Sequence, residues 1–293
     1  MEPWPAESPP EDVASPRPWL PKDQTTSRCR ILSVANQKGG VGKTTTAVNL
    51  GTALAMTGMR VLLIDMDPQA NATSAVGVKV ERGRPTIYDV LIGKHSVQQV
   101  VLETSLDGLK LVASSPQFAG AEIELVSLDN REYLLKQQLD VVKDQYDYVF
   151  IDCPPSLGLL TINALSASDG VIVPIQTEYL ALEGLTHLLE TLQAIRGSLN
   201  PKLRVEGILL TMYDGRLSLS QQVAQEARSY FGTRVYRTMI PRNVRLGEAP
   251  SFGKPAVLYD RTCSGSMSYV NLAKEILENE SESARSRSEG TYS

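Results

Sequence analysis

The segment Lys38-Gly-Gly-Val-Gly-Lys-Thr-Thr45 lies between an apolar stretch, Arg30–Ala35, and a helix-patterned stretch, Thr44–Met56. Three glycines packed this closely do not suit the interior of a helix or strand, so the segment reads as a turn between a strand and a helix. A strand–turn–helix unit is the first half of a parallel crossover. The rest of the chain repeats the alternation. Unbroken apolar runs of strand length fall at Arg60–Ile64, Tyr148–Ile151, Gly170–Ile175 and Val205–Leu210, the pattern of parallel strands buried on both faces. Helical patterns occupy Arg131–Lys143, Leu180–Arg196, Ser218–Tyr230 and Met267–Glu278, the last with Val270, Leu272, Ile276 and Leu277 along one face. The expected fold is α/β, a doubly wound, mostly parallel sheet flanked by helices, in a single domain over residues 29–278.

Two tails fall outside that alternation. Residues 1–28 hold seven of the 17 prolines and both tryptophans, Trp4 and Trp19, so a disordered Pro-rich tail is expected. Whether the tryptophans form a docking handle stays open. Residues 279–293 are polar and mixed in charge, and a second disordered tail is expected there. No run approaches the ~18 apolar residues of a membrane span. Glu2, Glu7, Glu11 and Asp12 stand where a signal peptide would be basic and then apolar. Cys29, Cys153 and Cys263 are too widely spaced for a disulfide framework or a zinc site. A cytosolic protein is expected. The net charge of −4 argues against a general polyanion binder, but Arg196–Arg261 carries 11 Lys/Arg against 5 Asp/Glu, a local basic sector suited to phosphate backbones.

The glycine turn also has a chemical reading. A nucleotide phosphate chain needs converging backbone N–H donors, a lysine at the β/γ-phosphates and a hydroxyl on Mg²⁺. Gly39, Gly40, Val41 and Gly42 supply the backbone cradle, Lys43 the cation and Thr44 the metal-facing hydroxyl, with Thr45 near the α-phosphate. A nucleotide and Mg²⁺ are the implied cofactors. The usual G-x-x-x-x-G-K-[ST] pattern would place glycine at 37, where this chain has Gln37, followed by a second lysine, Lys38. Two further strands end in acids: Leu62–Gln69 with Asp65 and Asp67, and Val149–Pro155 with Asp152. Carboxyl ends of parallel strands face the ligand crevice. Asp152 therefore reads as the carboxylate that acts on Mg²⁺ through water, and Asp65 as structural or metal-supporting. Cys153 lacks a nearby histidine and reads as a small buried residue. His95 and His187 lie outside every motif and no water-orienting glutamine is evident, so hydrolysis should be slow and partner-dependent.

The loop resembles the deviant Walker A motif, KGGxGK[ST], of the ParA/MinD ATPases, a branch of the P-loop NTPases. The resemblance implies that the nucleotide is ATP, that Lys38 reaches the phosphates of a partner subunit's ATP, making ATP the bridge of a sandwich homodimer, and that Asp67 serves the attacking water and the first switch. Further segments narrow the match: Ala35-Asn-Gln-Lys38, Asp67-Pro-Gln-Ala-Asn-Ala-Thr73, Glu178-Tyr-Leu-Ala-Leu-Glu-Gly184, Thr211-Met-Tyr-Asp-Gly215 and Ile240-Pro-Arg-Asn-Val-Arg-Leu-Gly-Glu-Ala-Pro-Ser251. Together they are similar to chromosomal ParA/Soj partition ATPases over residues 30–278. That likeness implies base and ribose contacts from Pro241 and Asn243, with Met212 near the base. It implies nonspecific binding of double-stranded DNA through Arg242 and Arg245, with Arg216, Arg237 and Lys254 as weaker candidates. It also implies a ParB-type centromere-binding partner that stimulates hydrolysis, and a place on the nucleoid. A MinD-like membrane-associated positioning ATPase would need a basic amphipathic C-terminal helix, and Glu278, Glu280 and Glu282 count against one. A scaffold switched by ATP without hydrolysis stays open.

Overall fold

The computed structural model describes residues 29–178 and 183–289; the Pro-rich segment 1–28 lies outside them. Seven strands form one sheet in the order β3-β4-β2-β5-β1-β6-β7. They are β1 (Arg30–Val34), β2 (Val61–Asp65), β3 (Val101–Glu103), β4 (Leu109–Val112), β5 (Tyr148–Asp152), β6 (Gly170–Gln176) and β7 (Arg204–Thr211). All pairings are parallel except that of β3, which runs antiparallel to β4 at one edge.

The two faces of the sheet explain the unbroken apolar runs. Leu62 and Ile64 of β2, with Val149 and Ile151 of β5, point into one core, covered by α3 (Ile87–Leu91) and by the helices Leu134–Val142, Leu159–Ala167, Glu183–Ser198 and Ser218–Phe231. Their neighbours Leu63 and Phe150, with Leu32 and Val34 of β1, point into the other. That second core is closed by α1 (Lys43–Ala55) through Leu50 and Leu54, and by the C-terminal helix Ser264–Glu289 through Tyr269, Leu272 and Ile276. A strand with a helix layer on each side has no solvent-facing positions, so polar alternation disappears. Each leucine or isoleucine so enclosed contributes about 1.5–3 kcal/mol by leaving water.

The structure departs from the sequence reading in two places. The β3–β4 hairpin was not anticipated; its arms are too short to show a period. The C-terminal helix also runs on to Glu289 instead of giving way to a disordered tail at Asn279. Its continuation is anchored by Glu280, which pairs with Arg30 and accepts the Tyr148 hydroxyl at 2.5 Å. Arg30 is held from its other side by Glu206 at 2.6 Å. No helix among the described residues is long and apolar enough to cross a membrane.

Candidate active site

The carboxyl ends of β1, β2 and β5 meet at one edge, with Asp65 of β2 and Val34 of β1 both opposite Asp152 of β5. The glycine loop rises from β1 at this edge. Gly40 (φ +73°) and Gly42 (φ +89°) adopt the left-handed backbone that disfavours side chains; Gly39, like Gly40, faces open space. Gly42 stands at the N-cap of α1 and supplies no side chain to its first N–H groups, which leaves those donors and the positive helix end facing the loop. The Asn36 amide shapes the loop from below, accepting the Lys38 N–H at 3.0 Å and donating to Pro174 O at 2.7 Å. Thr211, at the end of β7, donates its hydroxyl to Val41 O at 2.9 Å. Sequence reasoning missed both supports; Thr211 opens the segment 211–215, but nothing local marks it as touching the loop.

Lys43 is buried, and its ammonium donates to Lys38 O at 3.1 Å. Burial lowers its pKa, opposed by the carboxylates of Asp152 and Asp67. Lys38 is half-exposed, its ammonium 3.9 Å from Glu178. The three acids divide by environment. Asp65 is fully buried and accepts the N–H (2.8 Å) and hydroxyl (2.7 Å) of Thr73 and the N–H of Asp67 (3.1 Å), so it pins the loop after β2 and α2 (Asn71–Ala75). Burial nevertheless raises its pKa to about 6. Asp67 accepts the Gln69 N–H at 2.9 Å.

Asp152 is different. It is fully enclosed, and neither of its oxygens has a well-formed hydrogen bond. The Thr44 hydroxyl stands near enough to favour its charged form but outside bonding geometry, and burial, with Asp65 beside it, drives its pKa well above the carboxylate range. An enclosed carboxylate without a partner, beside a threonine hydroxyl, is a pair of hard oxygen donors that fits Mg²⁺. Among the described residues no group of three or more His, Cys, Asp or Glu could hold a metal ion by itself. Cys153 is buried, with its thiol pKa raised by burial. His187 is exposed beside Glu190 at 3.4 Å.

Met212, Pro241 and Asn243 converge on a cleft of about 380 Å³ walled also by Thr45, Leu246 and Tyr269. Met212 sits at φ +50°, and backbone bonds from Tyr213 N to Ile240 O (3.0 Å) and from Arg242 N to Tyr213 O (3.2 Å) join the two segments. Both ends of the Asn243 amide are engaged: its oxygen caps the helix Val244–Glu248 through Arg245 N (2.8 Å) and its nitrogen donates to Ser264 (2.9 Å). Arg242 and Arg245 lie on the segment that closes this cleft. Each has an acidic neighbour, Glu178 at 3.6 Å for Arg242, and Glu248 at 2.6 Å with Asp260 at 3.4 Å for Arg245. Arg216 pairs with Asp214 and Arg237 with Glu275 and Glu278. Lys254 lines a separate cleft of about 410 Å³ beside Thr44 and Thr45.

A family model described as an AAA domain matches residues 29–205. The chain is 53% identical over 253 residues to the chromosome partitioning protein ParA of Caulobacter vibrioides, covering 86% of this chain and 95% of that one. It is 53% identical over 250 residues to the sporulation initiation inhibitor protein Soj of Bacillus subtilis, covering 85% and 99%. Among solved structures, the cobyrinic acid a,c-diamide synthase of Mycobacterium smegmatis with a bound ATP analogue and magnesium superposes with a TM-score of 0.76 at 36% identity, over 86% of this chain and 96% of that one. The cell division ATPase MinD of Pyrococcus furiosus superposes with a TM-score of 0.71 at 27% identity, over 85% and 98%. The expected doubly wound fold agrees with these neighbours.

Proposed function

The chain belongs to the ParA/Soj family of chromosome-partitioning P-loop ATPases, and from that premise we propose that it is an ATP-dependent dimeric switch that hydrolyses ATP slowly and binds double-stranded DNA without sequence preference. DNA binding would place the protein on the nucleoid, and release would come when a ParB-type partner stimulates hydrolysis. The observation that carries the ATP reading is the enclosed, unpartnered Asp152 beside Thr44 at the uncapped start of α1.

Each residue then has a task. The backbone N–H groups of residues 39–45 and the Lys43 ammonium bind the phosphate chain; holding Lys43 against Lys38 O fixes its reach beforehand. Thr44 and Asp152 would hold Mg²⁺, which neutralises developing phosphate charge when bound. Asp67, fixed by Asp65 and by Gln69 N, orients the attacking water. Met212, Pro241 and Asn243 wall the base. Lys38, half-exposed at the loop's surface, completes the phosphate site of a second subunit, so two chains cohere only while ATP lies between them. The acidic C-terminal helix disfavours an anionic lipid surface and gives no support to a membrane role.

Binding to random duplex DNA without nucleotide, with ADP and with ATP tests the switch, repeated for Lys38→Ala and Arg245→Ala. Tight, salt-sensitive binding with ATP alone, lost in both variants, is expected. Binding indifferent to nucleotide would sink the coupling. Single-turnover hydrolysis should fall at least tenfold in Asp67→Ala; equal rates would favour a scaffold that needs no turnover.

A further inference from the structure

Beside the loop that carries Asp67 lies another cleft, of about 640 Å³, which shares no residue with the phosphate loop or with the cleft behind Met212. Its rim is segment 78–84, where Lys79, Arg82 and Arg84 are exposed. Thr73, Thr86, Ser114 and Ser115 are buried beneath it. Among the described residues no carboxylate pairs with Lys79, Arg82 or Arg84, in contrast to Arg216, Arg237, Arg242 and Arg245, each of which has at least one. Two acids also line the cleft. Asp89, which accepts Thr86 N at 2.8 Å, and Glu81 are thus two acids set against three cations. The Ser114 hydroxyl is enclosed and has no partner, an uncommon state that a bound acceptor would relieve.

Unpaired guanidinium groups around a hydroxyl-lined concavity are the donor set that holds phosphate, and the volume falls within the ~300–1,000 Å³ of small-molecule sites. We infer that this cleft binds a phosphorylated small molecule, separate from the nucleotide of the phosphate loop, through Lys79, Arg82, Arg84 and the Ser114 hydroxyl. A concave site with an enclosed hydroxyl favours such a ligand over a DNA backbone, which asks for an open surface.

Occupancy would be felt by the hydrolytic loop. Ser114 N donates to the Thr73 hydroxyl at 3.0 Å, Thr73 donates twice to Asp65, and Asp65 holds Asp67 N. A ligand that shifts Ser114 or Thr73 therefore displaces the carboxylate that orients Asp67. This coupling rests on the hydrolysis reading above; the binding does not.

The test uses the full chain saturated with Mg–ADP, titrated with inorganic pyrophosphate in a calorimeter, with amide shifts followed by NMR. Saturable binding without loss of ADP is expected, with shifts at residues 78–89 and 114–117 and at least tenfold weakening in the Arg82→Ala/Arg84→Ala double variant. Both positions are exposed, and unchanged ADP affinity would show that the variant folds. Pyrophosphate that only displaces ADP, or binds the variant equally well, overturns the proposal. So does a variant that loses duplex DNA but keeps pyrophosphate, which would make the rim part of a DNA face. Pyrophosphate should also alter ATP turnover in the parent and not in the variant; binding with unaltered turnover refutes the coupling. A chain that binds pyrophosphate but never hydrolyses ATP would refute the hydrolysis reading alone.

Discussion

Replacing Asp152 by Asn should stabilise the ligand-free protein while weakening its response to nucleotide. Asp152 is fully enclosed, lacks a well-formed hydrogen bond, faces Asp65 across the strand pair and has in Lys43 a cation that is itself desolvated. A buried, poorly compensated carboxylate costs several kcal/mol. An asparagine amide in the same place still lacks partners, at about 1–3 kcal/mol. The difference leaves a gain of about 1–3 kcal/mol, and at 2–4 °C per kcal/mol for a fold of this size Tm should rise by about 2–12 °C. Mg–ADP at a hundred times its Kd adds about 2.7 kcal/mol to the parent; without the metal-facing carboxylate that increment should fall by half or more. The pH dependence has a definite sign. A carboxyl whose folded pKa is raised holds its proton longer in the native than in the unfolded state, so stability falls as pH rises through the interval between the two values. For Asp65 that window runs from 3.8 to about 6; Asp152 acts in the same direction, and the variant should show a shallower decline. Thermal denaturation followed by circular dichroism, with and without Mg–ADP, reads all three effects. A ligand-free variant less stable than the parent would mean that Asp152 is compensated after all, and an undiminished Mg–ADP increment would remove it from the metal site.

Thr211→Val keeps the shape but deletes the 2.9 Å bond to Val41 O; calorimetry should show ADP binding about 5- to 10-fold weaker, and equal affinity would show that β7 does not shape the loop. Gly77 sits at φ +82°, and an added Cβ would stand 2.6 Å from Gly253 O. Gly77→Ala should therefore cost about 2–4 kcal/mol in urea unfolding, and a cost below about 1 kcal/mol would contradict that close backbone approach. Glu280→Gln removes the negative charge set against Arg30 and the Tyr148 hydroxyl. A loss of about 1–2 kcal/mol is expected, with faster amide exchange beyond residue 279; no change in exchange would return that segment to the disordered reading.

Five of the seven strands were legible because their enclosed stretches read as apolar runs, even in β7, whose first three residues are exposed or part-buried. The hairpin was not: Val101–Glu103 offers three residues and Leu109–Val112 four, too few to establish a period, and its antiparallel pairing is set by chain return at an edge. The site divides in the same way. Gly40, Gly42, Lys43, Thr44, Asp67 and Asp152 stand at the ends of strands or the start of a helix, where spacing along the chain determines position. Their supports are long-range. Thr211 meets Val41 across 170 residues, and Ser114 meets Thr73 across 41. Nothing in a single sequence announces such pairs, because they arise only once β7 and β4 have taken their places in the sheet.

The basic sector shows a subtler limit. Counting 11 cations against 5 acids over Arg196–Arg261 treats each charge as available, whereas the fold sets Asp214, Glu248 and Asp260 from within the sector, and Glu178, Glu275 and Glu278 from outside it, against four of its arginines. Exposed pairs of this kind are worth only about 0–1 kcal/mol each, so a phosphate can displace the carboxylates, and the affinity gained is a difference between two partners. Glu178 makes the exchange specific. It lies 3.9 Å from Lys38 and 3.6 Å from Arg242, so one carboxylate serves both the lysine of the proposed subunit contact and an arginine of the proposed DNA face. A phosphate that draws Lys38 away changes the charge around Glu178, and with it the hold on Arg242. On the proposed function, local electrostatics would thus give a short physical route between the nucleotide and the surface that meets DNA.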